Sequence, residues 1–386
     1  MKHANQNLKI PNPLQNTSAK QNLIKKLNLK QLAFISIVAL GLMFSACAIN
    51  TNPLTDKSKH IYHPQTRDEL VELLRDENIK LDTIDTSKIT DMSHLFRNIK
   101  REDFSGIESW DVSKVTDMEY MFYEAHSFNQ PLDSWDVRNV ANMAFMFNEA
   151  KAFNQPLESW NVSNVKNMDY MFFDAISFNQ PLNNWNVSNV ENTDGMFFNA
   201  ISFNQPLNKW DVSKVIYMNS MFYTAISFNQ NLNAWNVSNV KGIAFMFAKA
   251  ASFNQPLDSW DVSKVIDMES VFNEAKSFNQ PLNKWNVSNV ANMESMFGGA
   301  QSFNQNLNAW NVSNVKNMEN MFGGAQSFNQ NLNAWDVSNV KNMDYMFENA
   351  ESFNQNLDSW KINKDAKQKD MFSGSPLESK PPKWYK

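Results

Sequence analysis

The chain has 386 residues, a formal net charge of −5 and a single cysteine, Cys47. Its charge is uneven, because residues 1–46 hold six lysines and no acid, and removing those six positive charges from −5 leaves −11 on the rest. An acidic body argues against nucleic acid and anionic membrane surfaces as main partners. With one cysteine, no disulfide can form within the chain.

A short apolar run precedes the cysteine near the N-terminus. Basic, polar residues lead into Leu32 to Phe44, and two small residues separate this run from Cys47. The run is shorter than the roughly 20 residues that span a hydrocarbon core, and the pattern is typical of a secretory signal. We therefore predict an export segment over residues 1–46, a tether over 47–61 and lipid attachment at Cys47, which resembles the cysteine of a bacterial lipobox. Phe44 stands where leucine is usual, so an uncleaved anchor with an incidental cysteine is the alternative.

A capping box opens the first predicted helix. In Thr66-Arg67-Asp68-Glu69, the threonine hydroxyl and the glutamate carboxylate can each bind a free amide at a helix start. Leucines follow at helical spacing, which predicts an amphipathic helix over residues 67–77. A helix in this place would cover the apolar end of a stack of repeats, so we assign residues 62–83 to an N-terminal cap.

Tryptophan recurs every 25 residues through most of the chain. It stands at positions 110, 135, 160, 185, 210, 235, 260, 285, 310, 335 and 360. A fixed period in this range is the signature of a solenoid, and we assign residues 84–359 to about twelve repeats. The first repeat is one residue longer than the others, which predicts a bulge near Lys100–Glu102. After the last repeat, polar residues stand at positions that hold core residues in the repeats, and three prolines follow. We therefore assign residues 360–386 to a C-terminal cap and tail.

Each repeat is predicted to hold a short strand and a short helix. In the unit around Trp135, the alternation from Leu132 to Val137 suits a strand. Asn142 then precedes apolar residues at i, i+3, i+4 and i+7 spacing over Met143–Ala150, which suits two turns of helix capped by Asn142. The fold class that we expect is therefore an α/β repeat solenoid with parallel strands. An all-strand parallel β-helix is the alternative.

A second motif, Phe-Asn-Gln, recurs ten times, from Phe128-Asn129-Gln130 to Phe353-Asn354-Gln355. We expect the phenylalanine in the core and the two amides in rows that bind the backbone of neighbouring turns. Those turns would otherwise hold unsatisfied polar groups. Rows that bind glycan or metal are the alternative.

Several motifs carry a family resemblance. They are Trp-Asp-Val-Ser-Lys-Val-Thr-Asp-Met at 110–118, Ile-Asp-Thr-Ser-Lys-Ile-Thr-Asp-Met at 84–92, the Phe-Asn-Gln-Pro-Leu links, and the ending from Ser375-Pro376-Leu377 to Pro381-Pro382-Lys383-Trp384-Tyr385. With these motifs, residues 62–386 resemble the BspA-like leucine-rich-repeat surface lipoproteins of bacteria. The resemblance implies a curved, leucine-rich-repeat-like solenoid and, more loosely, adhesion or binding of host proteins. It implies no catalytic residues.

No constellation of residues points to catalysis. The five histidines do not cluster as metal ligands, no glycine-rich phosphate loop occurs, and Cys47 is the only thiol. The acidic residues follow the repeat, whereas an enzyme site needs singular residues. We therefore predict that the protein is not an enzyme and has no cofactor and no metal site.

The positions that vary between repeats predict an interaction surface. Eight aromatic residues lie ten or thirteen positions after a tryptophan, on the outer face of the predicted helices. They are Tyr120, Tyr123, Phe145, Tyr170, Phe173, Phe198, Tyr223 and Phe245. An exposed aromatic stripe of this size is typical of a protein-binding site. The alternative is that the rings stack on one another between repeats and shield the helices.

These features together predict a surface-anchored bacterial lipoprotein, exported and held by its lipid at the outer membrane or cell surface. Its solenoid would be a scaffold for protein binding or adhesion. The expected partners are a protein or host-surface ligand and, through the lipid anchor, the membrane, but not nucleic acid. The alternative is a purely structural envelope protein that spaces or shields the surface.

Overall fold

A computed structural model describes residues 52–97 and 101–385. The predicted export segment, residues 1–46, and the lipid-attachment residue Cys47 lie outside the described residues. So does Lys100 of the predicted bulge near Lys100–Glu102, because residues 98–100 are not described. Within the described ranges, no helix has the length and apolar character needed to cross a bilayer.

Regular secondary structure is sparse. Helix α1, Arg67–Leu74, is the one α-helix of the described residues, and 3₁₀ helices cover Lys57–Lys59, Leu81–Thr83, Ile107–Ser109 and Pro376–Glu378. In place of strands, isolated parallel bridges join each repeat to the next. The bridges from Asp91 to Lys367 link twelve residues, which confirms the parallel stacking of the repeats. Eleven of these residues lie in the predicted repeats, and Lys367 lies in the predicted C-terminal cap, so the stacking continues into that cap.

Helix α1 begins with the predicted capping box. The Thr66 hydroxyl accepts a hydrogen bond from the backbone N–H of Glu69 at 3.3 Å, and the Glu69 carboxylate accepts one from the backbone N–H of Gln65 at 2.7 Å. The helix ends at Leu74, three residues before its predicted end. A turn follows, in which the Asp76 carboxylate accepts the backbone N–H two residues on. Its two buried leucines join the core of the repeats, so it caps the stack as predicted.

The prediction of a short helix in each repeat is wrong. Over Met143–Ala150 the backbone forms consecutive turns. The even-numbered N–H groups from 146 to 150 bind carbonyls three residues back, at 3.0–3.2 Å. The odd-numbered groups from 143 to 149 bind carbonyls of the next repeat, at 2.7–3.0 Å. In an α-helix the backbone N–H groups lie parallel to the helix axis and bind carbonyls of the same helix, so a helix could not form these bonds between repeats. We call the inter-repeat bonds the ladder.

Two left-handed residues in each repeat make the turns possible. In this repeat they are Phe145, with φ 57°, and Glu149, with φ 58°. Equivalent pairs recur in every repeat from 120 and 124 to 370 and 374. A side chain in this region costs about 1–2 kcal/mol, and the ladder offsets that cost by fixing the backbone on both sides. The apolar residues that predicted a helix still face the core along this path.

The strand predicted around Trp135 is also wrong. Residues 132–137 contain a turn, in which the backbone N–H of Trp135 binds the carbonyl of Leu132 at 3.1 Å. The parallel bridge lies instead at Asn142, the residue predicted to cap a helix. Its side-chain oxygen accepts the backbone N–H of Ala144 at 3.1 Å, as a cap would. The repeats are therefore neither α/β units nor a β-helix, but stacked turns joined by single-residue bridges.

The tryptophans form a buried column. Each indole N–H donates to a carbonyl of the preceding repeat, as Trp160 does to Leu132 at 2.8 Å. Neighbouring indoles are parallel, with Trp135 and Trp160 at 6.5 Å and 1°. In the phenylalanine column the step is smaller, 5.6 Å between Phe147 and Phe172. Equivalent rings one repeat apart are therefore more widely spaced in the tryptophan column than in the phenylalanine column.

The predicted amide rows are confirmed. The backbone N–H of Asn154 binds the Asn129 side-chain oxygen at 2.9 Å. The Gln155 side-chain amide donates to the same oxygen at 3.2 Å and to the Asn129 carbonyl at 3.1 Å. Equivalent bonds continue to Asn354 and Gln355. The amides therefore satisfy the backbone of the links between repeats.

The tail continues the tryptophan column beyond the last predicted repeat. Trp384 stacks on Trp360 at 6.1 Å and donates to the carbonyl of Leu357 at 2.8 Å. Tyr385 packs edge-on against Phe372 at 5.0 Å. The three prolines thus precede residues that close the C-terminal end of the core.

Part of the predicted tether packs against the repeats. Asn52 is buried and donates to the carbonyl of Trp110 at 2.9 Å. The backbone N–H of Ile61 binds the carbonyl of Thr83 at 2.8 Å. Residues 52–61 therefore belong to the N-terminal end of the stack, and the rest of the predicted tether lies outside the described residues.

We predict that Trp235→Phe lowers the free energy of unfolding by about 1–3 kcal/mol, because the smaller ring leaves a cavity and the carbonyl of Leu207, which keeps the backbone N–H of Trp210 at 3.1 Å, loses its indole hydrogen bond. That bond measures 2.9 Å. Urea denaturation measures the loss. Trp384→Phe is the control, since this indole lies at the end of the column and is only half-buried. Equal losses in the two variants would contradict a column held by its buried indole bonds.

Candidate interaction surface

Four rings stack into a first aromatic column on the early repeats. His94, Tyr120, Phe145 and Tyr170 occupy the first left-handed position of successive repeats. Their centroids lie 4.7, 4.3 and 4.9 Å apart in that order, with interplanar angles of 7–14°. The ladder fixes the backbone beneath at a similar spacing, near 4.8 Å. Each ring therefore covers the next.

The first column ends at Gly195, where glycine is required. This residue has φ 56°, and a Cβ atom there would lie 2.3 Å from Cε1 of Tyr170. The Tyr170 ring thus lies over the backbone of the following repeat, in space that any side chain would fill.

A second column follows on the later positions of the next repeats. Phe173, Phe198 and Tyr223 stack at 4.6 and 4.4 Å. Tyr123 packs edge-on against the first column at 5.4 Å, and Phe245 is tilted by 57° at 6.4 Å from the second. The predicted continuous stripe is therefore two columns with one ring at the margin of each.

All eight residues of the predicted stripe are partly buried. A central ring such as Phe145 has a neighbour on both faces, so ring edges and column ends are what solvent meets. This is the packing that the shielding alternative predicts. Partner binding through the columns remains a prediction, and rigid aromatic edges are suited to it because little side-chain entropy is lost on contact.

Cations lie over some of the rings. The Arg97 guanidinium is 5.6 Å from the centroid of Tyr120 and 5.3 Å from that of Tyr123. The Lys249 ammonium is 5.9 Å from the centroid of Tyr223. At these distances the ring quadrupole attracts the cation. The columns are therefore bordered by positive charge on an acidic chain.

Sequence reasoning missed three residues at the repeat positions that hold the column rings. His94 and Arg97 occupy the two column positions of the first repeat, shifted by its extra residue, and Tyr345 occupies the first position near the C-terminal end. The Lys369 ammonium lies 5.2 Å from the Tyr345 centroid. The period of 25 could have identified all three positions, since each is one step from an equivalent residue.

Beside the columns, one backbone N–H in each repeat is satisfied by a side-chain oxygen. Its usual source is the Asn or Asp two residues earlier, as with Asn142. In three repeats that position is Tyr217, Gly242 or Lys367, and the oxygen comes from the preceding repeat instead. The substitute bonds are Asp194 Oδ1 to Asn219 N at 2.6 Å, Asn219 Oδ1 to Ala244 N at 3.0 Å, and Asp344 Oδ1 to Lys369 N at 2.6 Å. Because an oxygen of the preceding repeat binds this N–H group, the position usually held by asparagine can hold another residue.

One of these substitutes is electrostatically unfavourable. Burial raises the pKa of Asp194 to about 6, and the Asp169 carboxylate of the preceding repeat acts in the same direction. Burial also raises the pKa of Asp169, whose Oδ1 has no hydrogen-bond partner in the described structure. A charged Asp194 at neutral pH therefore destabilises the stack.

The His, Asp and Glu side chains of the described ranges do not gather into a metal site. In these ranges, no three or more His, Asp and Glu side chains are placed to hold one metal ion. The Asn-Val-Ser tripeptides lie in exposed turns, where the Asn161 side-chain oxygen accepts the backbone N–H of Ser163 at 3.1 Å. These asparagines therefore have a structural role in the turn.

One family model matches the chain repeatedly. Its description is Mycoplasma protein of unknown function, DUF285, and it matches residues 68–184, 136–233, 177–285, 203–306 and 278–384. The five matches overlap, as expected where each repeat resembles the next, and together they run from α1 into the tail. No curated protein matches the chain.

We predict that Asp194→Asn stabilises the protein at pH 7 by about 1–2 kcal/mol after solvent screening. The folded-state pKa of Asp194, about 6, is above the ordinary value of 3.8 for an aspartate. The contribution of Asp194 to stability is therefore full below that lower value and is lost as pH rises through the folded value. Asparagine keeps the acceptor oxygen without the charge, so its advantage should vanish near pH 4. Urea denaturation at both pH values measures this.

Asp344→Asn is the matched control. Asp344 also accepts a backbone N–H of the next repeat, at 2.6 Å, but Lys369 follows it along the stack, and the Glu319 carboxylate that precedes it accepts a hydrogen bond from the Asn342 side chain at 2.6 Å. We expect no stabilisation from Asp344→Asn at pH 7. A gain in Asp194→Asn that is the same at both pH values would contradict the electrostatic explanation.

Proposed function

The chain belongs to the family of Mycoplasma proteins of unknown function, DUF285, and from that premise we propose that it is a non-enzymatic protein-binding scaffold anchored at the cell surface. The observation that carries the proposal is the division between a constant core and a variable surface. Each repeat buries the same columns of Trp, Val, Met, Phe and Leu side chains. Aromatic, basic and acidic residues differ between repeats at the surface positions.

The aromatic columns are the proposed contact surface for a protein partner. Their backbone is fixed by the ladder, so the rings are held in place before any partner arrives and binding orders little. Aromatic side chains, with Arg97 beside them, are also the residue types that dominate protein interfaces. The resemblance to BspA-like surface lipoproteins supports adhesion to a host surface as the setting for this contact.

Two further arguments support a role without catalysis. Surface carboxylates and amides recur along the stack, and most of them hold turns or neighbouring repeats, as Asn129 does for Gln155. Groups engaged in the same bond in every repeat are not free to act on a substrate. The alternative function, a structural envelope protein, is favoured by the stacking of the rings on one another, and the experiment below separates the two.

We predict that Tyr120→Ser, Phe145→Ser and Tyr170→Ser together abolish binding of the soluble piece from Asn50 onward to host epithelial cells or immobilised matrix protein. The fold should survive, because serine occupies the same position in other repeats, as at Ser220. Flow cytometry with labelled protein measures binding, and circular dichroism checks the fold.

Tyr345→Ser is the matched control, since Tyr345 holds the same position but is flanked by Asn320 and Asp370 instead of rings. It should bind as the parent does. Unchanged binding in the folded triple variant would exclude the first column as the contact, and absence of binding by the parent itself would favour the structural alternative.

The anchor is the second part of the proposal. We predict that Cys47→Ser prevents incorporation of a labelled fatty acid and releases the protein from the membrane fraction, because the thiol would be the only attachment point. Labelling of cells followed by fractionation measures both effects. Full labelling of the serine variant would show that the lipid, if any, is held elsewhere.

A further inference from the structure

A second surface combines exposed apolar side chains with lysines. Ile266 is 61% exposed and Tyr217 is 44% exposed, although large apolar residues elsewhere in the described repeats are mostly buried. Next to them, a shallow cleft of about 610 Å³ is lined by residues of four successive repeats: Glu191, Lys214, Ile216, Asn239, Lys241 and Lys264. We call these residues, with Tyr217 and Ile266, the basic-apolar patch.

The patch is local to these repeats. Six residues after each tryptophan, the patch has Ile216, Lys241 and Ile266 in successive repeats. The same position elsewhere holds polar or small residues, such as Glu191 before the isoleucines and Ala291 after them. A purely structural position would be expected to hold the same type of residue along the whole stack. The two isoleucines therefore need a local explanation.

The lysines of the patch keep their charge available. Lys214 donates to the Asn189 side-chain oxygen at 2.6 Å, and Lys264 donates to that of Asn239 at 2.7 Å. Both acceptors are neutral, and within the described residues none of the three patch lysines forms an ion pair.

The lining of the cleft is mostly positive, with three lysines and one carboxylate, that of Glu191. Hydrogen bonds from Ser213 and Ser263 lower the pKa of Asp211 and Asp261, and nearby Lys214 and Lys264 act in the same direction, but neither aspartate lines the cleft. The cleft is thus a positive region on a chain that is acidic outside its first 46 residues.

The patch also coincides with the place where the repeat departs from its own pattern. Tyr217 and Gly242 replace the asparagine that normally binds the backbone two residues on, and Asp194 and Asn219 supply the missing oxygen. The compensation puts Asp194 beside a second carboxylate, so it has an energetic cost. A departure from the repeated sequence pattern that is compensated at its own cost in stability is expected at functional sites.

We propose that the basic-apolar patch is a docking surface for an extended, acidic polypeptide segment of a partner protein, separate from the aromatic columns. The three lysines fit carboxylates, and the exposed Ile266 and the partly buried Ile216 fit apolar side chains. Ile216 and Ile266 are two repeats apart, roughly 10 Å at the ladder spacing. A polyproline II chain has three residues per turn and a rise of about 3.1 Å, so it covers a similar distance in three residues and returns side chains i and i+3 to the same face. The segment that fits therefore has apolar side chains at i and i+3 with acidic residues between them.

The probe is a fluorescent peptide of sequence Glu-Asp-Leu-Glu-Asp-Leu-Glu-Asp, titrated with the soluble piece from Asn50 onward, whose described part holds its own continuous core. Fluorescence anisotropy gives the dissociation constant. We expect saturable binding that weakens with salt, as screening predicts. Replacing both leucines of the peptide by serine should weaken binding about tenfold.

Two protein variants separate the contributions of charge and apolar contact. Lys241→Glu should weaken binding about tenfold, whereas Lys316→Glu, the same change at the same position outside the patch, should leave it unaltered. Ile216→Lys with Ile266→Lys adds positive charge and keeps the fold, because lysine already occupies this position at Lys241 and Lys316. We expect this double variant to bind the peptide more weakly despite its added charge.

The opposite results would overturn the proposal. Equal or tighter peptide binding by the double isoleucine variant would show an unspecific electrostatic surface. Equal losses in Lys241→Glu and Lys316→Glu would show that overall charge, not the patch, sets the affinity. Binding to phosphatidylglycerol vesicles that Lys241→Glu removes, with no binding of the peptide, would assign the patch to a membrane and refute the polypeptide partner.

Discussion

The structure depends on the alternation of backbone hydrogen bonds along the outer part of each repeat. Every second N–H binds within its own turn and every other one binds the next repeat, as Met146 and Phe147 do. In an isolated unit the second set has no acceptors, so half of these N–H groups would be left without a partner. A repeat of 25 residues therefore has no stable fold alone, and the buried Trp, Met and Phe columns add the apolar contacts that hold neighbours together.

This constraint determines where the molecule can vary. Positions that face the core, and the amides that bind the next link, are the same in nearly every repeat because each serves two neighbours. Substitution of the bridge asparagine is possible only with compensation, and Asp194 shows that compensation has an electrostatic cost. Surface positions carry no such restriction. The aromatic columns and the basic-apolar patch are therefore the two places where different repeats present different chemistry, and both are proposed as contact surfaces.

The candidate surface was predicted in composition but not in arrangement. The period identified all eight aromatic residues of the stripe, yet it could not show that Tyr170 lies over Gly195 and so ends the first column. It also gave no reason to separate Tyr123 and Phe245 from their neighbours. Ring orientation depends on left-handed backbone at Tyr120 and Phe145, and no glycine stands at these positions to signal it.

By itself, the sequence determined the period, the identity of the core residues, the amide rows and the helix that covers the first repeat. Each of these follows from side-chain chemistry repeated at a fixed spacing. The tertiary structure alone decided that the chain between Asn142 and Ala150 turns rather than forming a helix, because both paths bury the same methionines and phenylalanine. The choice is made by backbone N–H groups whose acceptors belong to the next repeat, and no local pattern within one repeat can show them.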